Sequence, residues 1–198
     1  MSSAYLAPVE YYSAIAKAGT VLLEHCDYYE KQTYRNRCHI AAANGVMALT
    51  IPVEKPSGVK VLTRDVRISE HGNWQTNHWR SIESAYNSTP FFEYYKDDFL
   101  PFYEKKWHFL WDFNFGLHQK VLELLELNPE QKCTEKYETI QEGHVLDLRG
   151  IIHPKKASDG QRSKPYYQVF DQRFGFLPDL SVIDLLFNMG NESQLVLG

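Results

Sequence analysis

The hydrophobic period of the chain changes near residue 70, and that change limits the fold more than any single motif. Up to that point apolar residues form short runs or alternate. The segments are Thr20 to Leu23, Ile40 to Asn44, Val46 to Val53, and Val59 to Ser69, where Val59 and Val61 keep one register and Val66 and Ile68 another. Short segments of this kind, bounded by turn residues, predict strands. Asn44-Gly45 marks one tight turn, and Pro56 with Gly58 marks the next. Thr20 to Leu23 is continuously apolar, which predicts a strand covered on both faces. Ahead of it, Pro8 suits the first turn of a helix expected over Val9 to Ala18, with Gly19 as its stop.

From Asn77 to Leu127 the period is helical and the composition strongly aromatic. Thr76 or Asn77 is expected to cap a helix ending near Asn87, with His78, Ile82 and Tyr86 on one stripe. Pro90 opens a second helix, expected to end near Pro101. Trp107 to Leu127 is the longest, with a core stripe of Leu110, Phe113, Leu117, Val121 and Leu124, and Asn128-Pro129 ends it. Beyond Pro129 the pattern fades, and residues 154–164 read as a polar loop. A last helix is expected over Leu180 to Asn188, with Gly190 near its C-cap and Ser181 and Asp184 spaced like a capping box. The expected fold is α/β: a mixed sheet flanked by helices, with an aromatic-rich helical middle at 77–127, in one domain spanning 1–198.

Composition narrows the function. Hydrophobic residues make up 43% of the chain, and the net charge of −4 argues against a nucleic-acid binder. No apolar run approaches the roughly 18 residues that span a bilayer. Met1 to Tyr5 lacks the cationic start and apolar run of a signal peptide. The three cysteines, Cys26, Cys38 and Cys133, have no CxxC spacing and suit a reducing compartment, so the expected location is the cytoplasm.

Hydrogen-bonding capacity concentrates in Tyr28 to Arg37, between two segments that read as strands. Lys31, Arg35, Asn36 and Arg37 can cradle an anion, with Arg37 gripping a phosphate or carboxylate in a fork and Gln32 adding hydrogen-bonding capacity. Structural pairing with nearby acids is the alternative. Glu24 and Asp27 follow the strand at Thr20 to Leu23, where carboxylates in open α/β sheets can meet a ligand, or else pair locally with Lys31 or Arg37. His78, four residues after Trp74, is either a general base or a buried, hydrogen-bonded helix histidine. No metal site is assigned, because no HExxH or DxD spacing occurs, and no cofactor follows from the residues. No nucleophile elbow occurs either, so a transfer reaction would proceed by direct attack of an activated acceptor. The aromatic run from Phe91 to Trp111 is read chiefly as core. Its excess could also serve as a sugar-stacking wall or as the interface of a homo-oligomer.

The order of these motifs resembles the WbqC-like protein family. The residues carrying the likeness are Tyr5 to Tyr12, the acidic strand end at Glu24 to Asp27, Lys31 with Asn36-Arg37, and Leu49-Thr50-Ile51-Pro52-Val53. Trp74 with His78, Tyr86 with Pro90-Phe91-Phe92, and Phe176 to Gly190 complete it, so the likeness covers roughly residues 5–127 and 166–190. Two features depart from the family pattern: Glu10 stands where it has Gly, and the stretch 131–164 is short. The resemblance implies a protein of bacterial surface-polysaccharide (lipopolysaccharide O-antigen) synthesis that modifies an activated sugar by acyl or aminoacyl transfer. A non-catalytic binding or assembly protein of such a pathway is the alternative. The implied catalytic residues are His78, Asp27 and Glu24. The implied ligand-binding residues are Lys31, Gln32, Asn36, Arg37 and Tyr86, and the implied partner is a nucleotide-linked sugar or another anionic small molecule.

Overall fold

In the computed structural model the change of period is also a change of architecture: two small strand pairs flank a stack of helices. The structure describes residues 1–54, 60–138, 145–156 and 164–198. Helix α1 (Val9–Ala16) follows directly on Pro8, whose φ of −65° and ψ of 160° lead the chain in without a lost hydrogen bond. It buries Val9, Tyr11, Tyr12 and Ile15.

Strand β1 (Thr20–Leu23) alternates exposed and buried residues, with Val21 and Leu23 at 3% exposure and Leu22 at 38%. The expectation of a doubly covered strand is therefore corrected. Only the Val21 and Leu23 side of β1 packs on the core; along its edges it pairs in parallel with the four-residue strand β4 (Glu130–Cys133) and meets the N-terminus, where the Met1 amino group donates to Leu22 O at 2.6 Å. β4 itself lies where the sequence pattern had faded.

Strands β2 (Arg37–Ala42) and β3 (Gly45–Thr50) form an antiparallel hairpin around Ala43-Asn44, with Gly45 at φ +103°, a left-handed value that favours glycine. Cys38 and Ile40 of β2 face the core, while β3 leaves Val46 and Met47 exposed. The strand expected over Val59 to Ser69 is replaced by isolated bridges at Leu62, Arg67 and Ile68 around a 3₁₀ turn at Thr63–Asp65. Val59 and the Pro56–Gly58 turn lie outside the described residues.

Three long helices follow: α2 (Trp74–Tyr86), α3 (Phe92–Glu104) and α4 (Leu110–Leu124). α2 starts one turn earlier than expected, with Asn73 rather than Thr76 or Asn77 at its N-cap position. α3 runs past Pro101 because the ring removes only the bond to the Asp97 carbonyl, and Lys105 N–H still closes the last turn on Pro101 O at 3.1 Å. On α4, Leu110, Phe113, Leu117 and Val121 are at most 1% exposed. Burying each such side chain is worth about 1.5–3 kcal/mol.

A short helix α5 (Asp171–Phe174) precedes α6 (Val182–Met189) and α7 (Ser193–Leu197). Ser181 Oγ caps α6 by accepting from Ile183 N–H at 3.4 Å. Asp184 does not complete a capping box. It is fully buried and accepts from Tyr166 OH (2.8 Å) and Gln168 Nε2 (3.1 Å), and burial raises its carboxyl to about 6. Phe187 lies against Tyr86, Phe92 and Phe99, so much of the aromatic excess is core. One contiguous apolar cluster draws on residues from Tyr5 to Leu197.

Candidate functional site

The block Tyr28 to Arg37 is a turn that sends its polar side chains three ways. The backbone at Gln32 is left-handed (φ +60°), and both Lys31 and Gln32 are exposed. Arg35 points inward: its guanidinium ion-pairs with the Asp27 carboxylate and donates to Ser2 Oγ at 3.1 Å. Thr63 Oγ1 donates to the other Asp27 oxygen. Asn36 fastens the turn to the segment after β3, donating from Nδ2 to Ile51 O at 3.0 Å and accepting Ile51 N–H on its own carbonyl at 2.8 Å. From the far side Asn114 of α4 donates to the Arg35 carbonyl at 2.7 Å.

Glu24, at 1% exposure, is also saturated. It accepts from Cys26 N–H (2.8 Å), Thr134 Oγ1 (2.7 Å) and Arg149 Nη1 (2.8 Å). Arg149 in turn forks onto Asp147 through Nε and Nη2 at 3.0 and 2.7 Å, which raises its own pKa and lowers that of Asp147. The carboxylates Glu24 and Asp27 therefore pair with Arg149 and Arg35, and not with Lys31 or Arg37. Arg149 was not singled out from the sequence, since nothing in the polar stretch around it marks a partner for a strand end 125 residues away.

Arg37 is different. It stands on β2 opposite Thr50 and is half-buried. Its Nε is enclosed with no hydrogen-bond partner, and among the described residues no carboxylate forms an ion pair with it. Its charge is felt nearby. It reinforces burial in lowering the pKa of His39, and with Arg35 it opposes the burial that raises the Tyr29 hydroxyl to about 12.

His78, 6% exposed on α2, is held through one ring nitrogen. Nδ1 lies 3.0 Å from the Tyr5 hydroxyl, which is 2.9 Å from that of Tyr103. Tyr5 stacks on it at 5.7 Å and Trp74 meets it edge-on at 5.2 Å. Burial lowers its pKa to about 4, against the opposing influence of the Thr50 backbone, so the ring is neutral at pH 7. Thr50 is also the residue that Arg37 faces across the hairpin. Tyr86 lies elsewhere, fully buried, accepting Ala41 N–H at 3.2 Å.

Among the described residues no cluster of His, Cys, Asp and Glu could hold a metal ion, and no helix is long and apolar enough to cross a membrane. The model of the WbqC-like protein family matches residues 3–170. An uncharacterized protein of Mycobacterium tuberculosis, Rv1507c, is 24% identical over 208 residues, covering 92% of this chain and 89% of that protein. No solved structure matches the chain.

Proposed function

This chain belongs to the WbqC-like protein family, and from that premise we propose that it transfers an acyl or aminoacyl group onto an activated sugar of bacterial surface-polysaccharide synthesis. Arg37 is the observation that carries the reading. Half-buried Arg37 has an enclosed, unpartnered Nε and no ion pair among the described residues, and a phosphate or carboxylate would give it a counter-ion. Exposed Lys31 and Gln32 add hydrogen-bonding capacity on the same turn, and Asn36 holds the turn to β3. In this reading a nucleotide-linked or acyl-phosphate donor binds at Arg37, and neutral His78 acts beside Thr50 as the base toward the acceptor. Asp27 and Glu24 act through Arg35 and Arg149 as positioning residues. Residues 1–198 work as one cytoplasmic domain.

A second reading rests on a different observation. His78 is engaged by Tyr5, and both carboxylates are engaged by arginines, so the three residues assigned to catalysis are all occupied. That arrangement favours a binding or assembly protein that recognises the same anionic precursor without turning it over.

One experiment separates the two. The purified chain is screened by thermal shift against nucleotide sugars and acyl phosphates, and each binder is then incubated with acceptor sugars and the products are weighed by mass spectrometry. Ligand at a hundred times its Kd should stabilise the protein by roughly 2.7 kcal/mol, a shift of several degrees that Arg37→Ala abolishes. Binding with mass gain on the acceptor supports the transferase. Binding without it supports the assembly protein, and a shift that survives Arg37→Ala sinks the anion site in both.

A further inference from the structure

We propose that Cys26 and Cys133 are a reversible thiol pair that joins the end of β1 to the end of β4 when a low-molecular-weight disulfide oxidises it. The register of the two strands brings them together. Cys133 stands opposite Leu23, and Thr134 N–H donates to Leu23 O at 3.0 Å. Three residues past Leu23 the Cys26 thiol donates to Thr134 O at 3.3 Å. Cys26 thus rests on the carbonyl of the residue next to Cys133. Burial and then the charge of Cys26 raise the Cys133 thiol, so each sulfur lies within the other's field.

The surroundings give the two sulfurs different parts. Cys133 is exposed and open to a reagent, whereas Cys26 is 8% exposed and reacts from within the protein. Arg64 Nη1 donates to Cys26 Sγ at 3.6 Å, which places a cation where negative charge develops as the sulfur loses its proton. Thr134 O also accepts from His25 Nε2 at 2.8 Å, so that carbonyl keeps a donor when the Cys26 proton leaves. Cys38 is the contrast. It is fully buried in β2 and burial pushes its thiol far up, so it is out of a reagent's reach and slow to ionise.

The exchange takes two steps. The Cys133 thiolate attacks one sulfur of the small disulfide RSSR; that S–S bond breaks, a Cys133–SR bond forms and RS⁻ leaves. The Cys26 thiolate then attacks Cys133 Sγ and expels the other RS⁻. The two leaving thiolates take up the protons that the cysteines gave to solvent. The protein loses two electrons and two protons, and RSSR becomes two RSH. In a reducing compartment such a bond is transient, which suits a sensor more than a permanent staple. It would cross the junction at which Glu24 accepts from Cys26 N–H and Thr134 Oγ1, so oxidation tightens the seat of the Glu24–Arg149 ion pair.

The test exposes the purified full chain to oxidised glutathione and follows the intact mass and the digested peptides by mass spectrometry. The expected product has lost two hydrogens, yields a linked Cys26–Cys133 peptide, keeps Cys38 free and reverts with dithiothreitol. Because the bond closes a long loop, the oxidised protein should melt several degrees higher. Cys26→Ser should stop at the glutathione adduct on Cys133, and Arg64→Gln should slow the second step about tenfold, as loss of one close charge does. A glutathione adduct that persists on Cys133 in the unaltered chain overturns the proposal, as do linkage of any other pair, dimers joined through Cys133, or no reaction at all. Closure at an unchanged rate in Arg64→Gln overturns the part given to that cation.

Discussion

His78 and His118 occupy nearly the same setting in two parts of the molecule. Each is 6% exposed and stacked on a tyrosine from the N-terminal segment, Tyr5 for one and Tyr12 for the other, with ring centroids 5.7 Å apart. Each offers Nδ1 to that tyrosine's hydroxyl, at 3.0 and 3.3 Å, and burial holds both near a pKa of 4. They differ in what lies beyond the pair. His118 leads into a closed set of carboxamides, Gln131 and Gln119, that satisfy one another. His78 leads through the Tyr5 hydroxyl to Tyr103, and among the described residues no side chain partners its other ring nitrogen on the side of Thr50, the residue that Arg37 faces across the hairpin. A buried histidine stacked on tyrosine is thus a structural unit of this fold, and function is to be sought where its network stays open.

The largest expected effect puts that contrast to work. Under the transferase reading, His78→Gln should lower turnover by roughly a hundredfold or more, the usual worth of a general base, while His118→Gln leaves turnover unchanged and retains the same circular dichroism. Equal losses in the two variants would make both histidines structural and break the comparison. Next in size is the stability of the two pairs. Tyr5→Phe and Tyr12→Phe each strand a buried imidazole nitrogen, at about 1–3 kcal/mol by urea denaturation. Tyr5→Phe should cost more, since Tyr5 also serves Tyr103.

A third effect is a pH slope. The folded-state pKa of each ring is depressed from 6.5 to about 4, so the stability of the neutral ring is complete above 6.5 and is lost as pH falls toward 4. Asp184 runs the other way. Its carboxyl rises from 3.8 to about 6, so its contribution is complete below 3.8 and is lost as pH climbs toward 6. Each histidine supplies up to about 1.4 kcal/mol per pH unit, and either His→Gln variant should flatten the acid limb by a similar step. Unequal flattening would show that one ring is wetter than its twin. The smallest effect is expected at the open end of the network. Arg37→Ala should shift the unfolding free energy by no more than about 0.5 kcal/mol, because it breaks no bond, while removing anion binding. A loss of several kcal/mol would mean that Arg37 is structural after all.

These contrasts show which parts of the molecule local pattern can specify. The β2–β3 hairpin was legible from its Asn44-Gly45 turn and the α4 stripe from its helical period. β4 was not, because Glu130-Gln131-Lys132-Cys133 has no strand pattern of its own and is held by backbone pairing to β1. The polar capacity of Tyr28 to Arg37 was plain in the sequence, but its partition was not. The chain is left-handed at Gln32, and beyond it Arg35 enters the core while Arg37, two residues on, is only half-buried. Arg149 and Asn114 escaped notice for one reason: each acts on residues far away in sequence and sits in no motif. His118, chemically the twin of His78, drew no attention because it follows no marker such as Trp74.

The parallel pairing of β1 with β4 also fixes an order of events. Thr20 finds its partner 110 residues downstream, and the antiparallel turn that could close such a gap cheaply is not available to parallel strands. The intervening helices must therefore supply the chain reversal before those backbone bonds can form, which places this ladder late on the folding route and makes it a slow step. A ribosome making this protein would release β1 long before its mate, leaving an apolar edge to be shielded for the time it takes to synthesise α2, α3 and α4.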